Sequence, residues 1–533
     1  MKFRTISIIT SVAYVVLSAS LNAQTETNGI VNETIPELDI RISESQKFVI
    51  NNVTYEMPDV IRYLIENNGK IKVLLYEAAM ADTDSIAFTS KYMPVLFGSA
   101  DYIRKYYPED AQTLYSGDSY LEKSGKVGVQ KGFSTGTTLS AGIQQKYVNN
   151  YNMNPAYGDV EYFQNGYFFS IEQELLKNIF GYQERKQQKM LDNRKNIILD
   201  ITEYKISLMS LEAVISAWEY AIAFSDCSNA KLKLDETRKV RSIIKSDVDL
   251  GANENYSLNY WNALVASHEI SYSKSLQSLK EKERDLKTRF NLETHFDEEF
   301  LNGSPGIYAV MTNRPAEINF EQALRMAYEN RADYTSALLN VKNAELQMEI
   351  VANNALPSLK AGLSVSSVGQ RDSSSNAYGD AFPGDRINYD ASVAMTFPLY
   401  DPKQKTDERN AEFQLEQARI NLAETGKEIR NDILNSIDLI NTAYDAYQKA
   451  KKTRTESEQY YRRFKTHLRS GRFSAADVKN ALDMMIDSRQ GELRALMYYN
   501  IALLQFDTVQ NSFLKNNGIE IVKIIENQKH KQK

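Results

Sequence analysis

The side chains that most often carry chemistry are sparse and scattered in this chain. Its four histidines, His268, His295, His467 and His530, show no H-x-x-x-H spacing, and the one cysteine, Cys227, stands beside none of them. A zinc site needs several N or S ligands at one point, and a nucleophile needs a base within hydrogen-bond reach. Neither pattern is present. No glycine-rich loop runs into a Lys-Ser/Thr pair to cradle phosphate. The expectation is a protein that is not an enzyme, with no catalytic residue, no metal and no cofactor. A net charge of −6 and a pI near 5.6 also lack the basic footprint of a nucleic-acid partner.

The acidic residue in contest is Asp477, three residues after Ser474 and six after Gly471. Ser474-x-x-Asp477 has the spacing of a helix-capping box, and a carboxylate in a first helical turn is stabilised by roughly 0.3–1 kcal/mol in any case. Its placement depends on elements that repeat along the chain. At an offset of 263, Ile61-Arg62 matches Leu324-Arg325, Glu66-Asn67 matches Glu329-Asn330, and Met93-Pro94 matches Leu356-Pro357. At an offset of 224, Glu174-Leu175 meets Pro398-Leu399 and Glu184-Arg185 meets Glu408-Arg409. Each half runs from a helical segment into a proline, then a β-like stretch, then a very long helical segment.

The domain reading follows. Residues 1–23 have a signal-peptide pattern: Lys2 and Arg4, an apolar run from Ile6 to Leu17, and small residues up to Ala23, giving a mature chain from Gln24. That run is too short for a membrane anchor. Residues 24–57 form an N-terminal arm. The first repeat covers 58–302, with a helix, a strand hairpin at about 133–173, a long helix, a tip turn near 251 and a second helix. A linker at 303–317 holds Gly303, Pro305, Gly306 and Pro315. The second repeat covers 318–515, with a helix, a hairpin at about 357–398, a long helix, a tip turn near 471 and a last helix. Residues 516–533 are a polar, basic tail expected to fray. Residues 95–132 stay open between further strand and insertion.

The long helical segments of about 70 residues would span on the order of 100 Å, more than a globular domain holds. The strands are about ten residues long, enough to cross a bilayer. Tyrosine, at 33 residues against 2 tryptophans, clusters in these stretches, as in an aromatic belt or simply as a common strand residue. Four strands cannot close a barrel, and open edges in lipid leave amides unsatisfied. Closure therefore calls for several copies, the smallest useful solution being about three with a barrel of about twelve strands. The fold class expected is mainly α with a membrane β-barrel: a long-helix α-barrel joined to a trimer-shared 12-stranded β-barrel, built from two internal repeats.

At this point the residues resemble a family, the TolC-like outer-membrane efflux channels. Met93-Pro94 and Leu356-Pro357 are similar to the family's helix-to-strand junctions. Gln173-Glu174-Leu175-Leu176 and Phe397-Pro398-Leu399-Tyr400 are similar to its strand-to-helix junctions, and Gly251 and Gly471 to its tip glycines. The stretch Gly471 to Val478, followed by Ala481, resembles the signature G-x-x-S-x-x-D-V-x-x-A. The resemblance implies a homotrimer in outer-membrane lipid, with a helical tunnel through the periplasm. Its tip would meet a periplasmic adaptor protein joined to an inner-membrane transporter. The contact residues would be Leu250, Gly251 and Ala252 in one tip, and Ser470, Gly471, Arg472, Phe473 and Ser474 in the other. Asp477 would be the gate acid, with Asn480 and Asp483 at the following positions of the pore. Asn480 stands where many relatives have a second acid, which weakens the gate charge or moves it.

The function expected is export of small molecules through a tripartite efflux pump. The alternatives are the same channel in type I protein secretion, and, from another class, a periplasmic coiled-coil structural protein without a barrel.

Overall fold

A computed structural model describes residues 47–50, 53–108, 115, 117–249, 255–291, 307–382, 387–467 and 475–531. All of them lie in the compact unit Ile40–Lys533. The signal-peptide expectation and both tip turns fall outside the described residues.

The chain first makes two short strands, β1 (Lys47–Ile50) and β2 (Val53–Glu56). Strand β7 (Ile307–Val310) pairs with the other side of β1, so the arm and the linker share a three-stranded sheet. Helix α1 (Met57–Asn67) opens on Pro58, whose missing N–H is not needed in a first turn, and buries Val60, Ile61, Leu64 and Ile65. The chain turns extended at Asn68, whose side chain then caps α2 (Gly69–Ala79) by accepting from the Lys70 and Ile71 amides. Helix α3 (Thr83–Ser90) follows. The single helix expected at the start of the first repeat is therefore three helices, because Asn68 caps a new start and Met80–Asp82 turns.

The sheet that matters comes next. Strands β3 (Val95–Tyr106), β4 (Ser119–Gly132), β5 (Thr137–Tyr151) and β6 (Glu161–Glu174) run antiparallel, each beside the next. Helix α4 (Tyr182–Asp249) is 68 residues long and packs against α5 (Asn255–Phe290). Its stretch Ala213, Val214, Ala217, Trp218 and Ala221 is buried, with small residues letting neighbouring helices close in. The one helical stretch apolar enough to cross a membrane among the described residues is in this region, and 72% of it is buried in the protein.

The second half begins with α6 (Phe320–Asn330), capped by Asn319, and α7 (Ala332–Asn354). The offset of 263 carries Met57–Asn67 onto Phe320–Asn330, and the break at Asn68 (φ −74°, ψ 120°) onto Arg331 (φ −69°, ψ 126°). Arg331 holds its break with a guanidinium bonded to Asp333 at 2.6 Å and Asp432 at 2.8 Å. Strand β8 (Ser358–Arg371) pairs with β6, a short helix α8 (Ser374–Ala381) follows, and β9 (Ile387–Thr396) pairs with β8. Then come α9 (Pro402–His467) and α10 (Ala475–Val509), packed side by side, with α10 also lying on α4. Helices α11 (Phe513–Asn516) and α12 (Ile521–Lys531) end the described chain.

Two expectations are corrected here. The reading of two hairpins, four strands per chain, gives way to one six-stranded sheet of order β3-β4-β5-β6-β8-β9. Residues 95–132 supply the other two strands. The tail is not frayed: α12 buries Ile521 and Ile525, and Lys529 meets Asp82 at 2.6 Å.

Candidate functional site

The six strands share one alternation. Reading across the sheet, Leu96, Val129, Ala141, Phe169, Val365 and Tyr389 stand in one row, each beside the next. The adjacent row, one residue along, is Val95, Gln130, Ser140, Ser170, Ser364 and Asp390. Because side chains alternate between faces, the first row lies on an apolar face and the second on a largely polar one. The apolar face is bare: Leu96 is 74% exposed, Phe169 47% and Tyr389 72%. On β8 it runs through Leu359, Ala361, Leu363 and Val365, about 20 Å along the strand. A contiguous exposed apolar surface of this extent marks contact with a partner or a membrane.

Helix α8 lies against the far end of the apolar face. Asn165 is fully buried and donates to the Ser374 carbonyl and hydroxyl, both at 2.9 Å. Tyr378 donates to the Gln144 carbonyl, and its ring lies 5.9 Å from that of Tyr167. A Cβ on Gly369 would come 2.2 Å from the Ala377 carbonyl oxygen, so this approach requires glycine. Arg371 closes the helix end through Asp380 at 2.8 Å. The aromatic residues Tyr167, Tyr378 and Phe382 collect at this level.

At the opposite end of the molecule's long helices, α10 begins at Ala475. Asp477 is exposed in its first turn, and Asn480 is exposed one turn on, followed along the same stripe by Met484. Asp483 is on another face. Its carboxylate sits 2.7 Å from Lys233 on α4 and 2.8 Å from Lys479 on its own helix. Burial alone would raise its pKa, but the contacts with Lys233 and Lys479 outweigh it and hold the group below the usual carboxylate range. The structure thus separates the three residues grouped from the sequence: Asp477 and Asn480 share an exposed stripe, while Asp483 ties two helices together. The adaptor-contact residues 250–252 and 470–474 lie outside the described residues.

More cross-links join the same helices. Tyr461 on α9 donates to Glu236 on α4, Arg489 on α10 meets Glu458 on α9 at 2.7 Å, and His268 on α5 bonds Thr237 on α4 at 2.9 Å. Burial, helped by nearby Lys233, pushes the His268 pKa down, so the ring is held neutral. These partners are far apart in sequence, and no local spacing announces them. The Asn/Gln-lined cleft between α7 and α9, about 650 Å³ and bordered by Asn340, Gln347, Gln414 and Asn421, was equally silent. Among the described residues no three His, Cys, Asp or Glu side chains gather as metal ligands.

Comparison with known proteins gives this geometry a context. Residues 323–510 match the family model for the outer membrane efflux protein. The family transports and is not one of enzymes. No curated protein matches the chain. Among solved structures, the CmeC outer membrane channel of Campylobacter jejuni is similar, with a TM-score of 0.63 at 14% identity over 96% of this chain and 98% of that one. The open state of the MtrE outer membrane channel of Neisseria gonorrhoeae gives 0.61 at 13% identity, covering 88% and 91%. The outer membrane protein VceC of Vibrio cholerae gives 0.59 at 11% identity, covering 87% and 96%. At these identities the likeness is one of fold.

Proposed function

We propose that this protein is the outer-membrane channel of a tripartite efflux pump, carrying small molecules from the cell through a homotrimeric conduit. The observation that carries the reading is the pairing of a bare apolar sheet face with helices of 68 and 66 residues in one chain. The sheet has the alternation of a membrane wall, with the polar face toward a water-filled lumen and the apolar face toward lipid. The aromatic cluster around Tyr167 and Tyr378 would sit at the outer interface. The long helices would line the periplasmic conduit. Open sheet edges cannot stand in lipid, so subunits close the wall together.

In this reading residues 250–252 and 470–474 meet a periplasmic adaptor, itself joined to an inner-membrane transporter. The exposed stripe of Asp477 and Asn480 faces the closed end of the conduit. Three Asp477 carboxylates around the axis would draw cations by the electrostatics of charged rings. Asp483 acts instead as a strut between α4 and α10. The protein is exported through a cleaved signal peptide, with Gln24 first in the mature chain. The internal repeat has each half contributing helices to one conduit.

The test is removal of the protein from its host, followed by accumulation of dyes and toxic small molecules. Increased accumulation with the protein found in the outer-membrane fraction supports efflux. Normal accumulation with loss of an exported protein would move the reading to type I secretion, and a soluble periplasmic location would end it.

A further inference from the structure

The two repeat offsets differ, 263 ahead of the strands and 224 behind them, so the first half carries 39 more residues between matching junctions. The difference has a structural address. The larger offset carries the start of β3, Val95, onto the start of β8, Ser358, each directly after a proline. The smaller offset carries Glu174, the end of β6, onto Pro398, two residues past the end of β9. What remains between is the hairpin β4–β5, Ser119–Tyr151, seated between the two strands that have counterparts.

We infer that this hairpin is part of the membrane wall, so that each subunit gives six strands and three subunits close an 18-stranded barrel. The inference rests on the channel reading above. Three observations carry it. First, β4 and β5 keep the same apolar and polar faces as their neighbours, with Val127, Val129 and Ile143 exposed on the apolar side. A hairpin lying outside a wall, in water, has no use for that face. Second, one row on the polar face reads Phe97, Gly128, Gly142, Phe168 across β3 to β6. The two rings lie 6.3 Å apart over the two glycines, and Lys126 stands 4.0 Å from the Phe168 ring centre. A Cβ on Gly142 would come 2.2 Å from the Val127 carbonyl oxygen and 2.9 Å from Phe168. Rings covering strand glycines are a device that pins register and curvature, here across the hairpin. Third, the β4–β5 turn is docked on the strand-to-helix junction. Gly181, at φ +71°, has no room for a Cβ beside the Ser134 carbonyl.

The partner at each edge is a second copy of this chain. Strands β3 and β9 are the edges, β9 exposed throughout and β3 at all but one position, and they run in opposite directions. Six is even, so β9 of one subunit meets β3 of the next antiparallel and every backbone group finds a partner. With strands about 4.8 Å apart and tilted about 40°, the backbone radius rises from about 12 Å for twelve strands to about 18 Å for eighteen. Barrels of that size leave an open aqueous channel.

The test is disulfide cross-linking of the full-length protein in outer membranes, in a Cys227→Ser background. Single cysteines at Asn388, Asp390, Ser392 or Ala394 on β9 are combined with cysteines at Ser99 or Asp101 on β3, or at Ser140 or Gln144 on β5. Oxidation is expected to give covalent dimers and trimers for β9–β3 pairs, none for β9–β5 pairs, and an internal disulfide when Ser140→Cys is combined with Ser170→Cys, a directly paired position of β5 and β6. Cross-links for β9–β3 without that internal disulfide would put the hairpin outside the wall and overturn the inference. Cross-links for β9–β5 but not β9–β3 would overturn the inference, placing β3 and β4 outside the wall and leaving the channel reading intact. No intersubunit cross-link in any combination, with the protein migrating as a monomer, would overturn both.

Discussion

Replacing Asp483 by Asn should loosen the end of α10 without altering cation preference. Asp483 and Lys233 lie 2.7 Å apart with side chains 24% and 26% exposed. At an effective dielectric near 20, two charges at that distance attract by roughly 6 kcal/mol before desolvation is counted. Exposed pairs are worth about 0.2–1 kcal/mol net, and breaking a fully buried pair costs about 3–5 kcal/mol. A pair one quarter exposed, with Lys479 still supporting the carboxylate, belongs between these, at about 1–2 kcal/mol. Local opening of the α10 end should rise by on the order of tenfold, as 1.4 kcal/mol is tenfold in an equilibrium constant. Hydrogen–deuterium exchange of residues 475–490 reads this directly in Asp483→Asn, Lys233→Met and the double variant. The double variant should exchange little faster than either single one, because each removes the same contact. Strictly additive effects, or unchanged exchange in Asp483→Asn, would refute the strut. The pH dependence has a definite sign. Because the folded pKa is lowered, the contribution is present above the unfolded carboxylate value near 3.9 and is lost as pH falls through the folded value.

Asp477→Ala should make the closed channel leakier and less cation-selective, and Asp477→Ser should match it; restoration of both properties by Ser in bilayer recordings would make the residue a helix cap, with an expected cost of about 0.5–2 kcal/mol on loss. Burial pushes the Asp507 carboxyl up to about 6, so Asp507→Asn should raise thermal stability at pH 8 and change it little at pH 4. The raised pKa means the native state is relatively favoured at low pH and loses that contribution as pH rises through about 6; melting curves at the two pH values check it. Gly181→Ala should weaken trimer resistance to heat in gel migration, since a left-handed alanine costs about 1–2 kcal/mol before the clash with Ser134 is relieved, whereas Gly379→Ala, in open space, should not.

Different parts of this architecture were legible for different physical reasons. The alternation of Leu359, Ala361, Leu363 and Val365 marks β8 because one face meets an apolar medium and the other water. The long helices announce themselves by the scarcity of glycine and proline. In β4 the same alternation was present, with Lys126, Gly128 and Gln130 alternating with Val127 and Val129. Its glycines hid it, because their meaning depends on Phe97 on the neighbouring strand and Phe168 two strands away. The breaks at Asn68 and Arg331 escaped for a similar reason: each is held by contacts to distant residues, the Arg289 carbonyl in one case and Asp432 in the other. Asp483 illustrates the limit at the candidate site. Spacing alone put it in line with Asp477 and Asn480, but α10 turns it toward Lys233, a residue 250 positions earlier.

The central claim is that this chain builds a membrane conduit, and single-channel recording tests it most directly. Protein extracted from outer membranes, with its trimer mass established in the same detergent, is added to a planar lipid bilayer. The account predicts discrete, cation-preferring conductance steps from the trimer, with the preference reduced in Asp477→Ala and retained in Asp483→Asn. A protein of monomer mass, or a trimer that inserts no conducting pore, would contradict it.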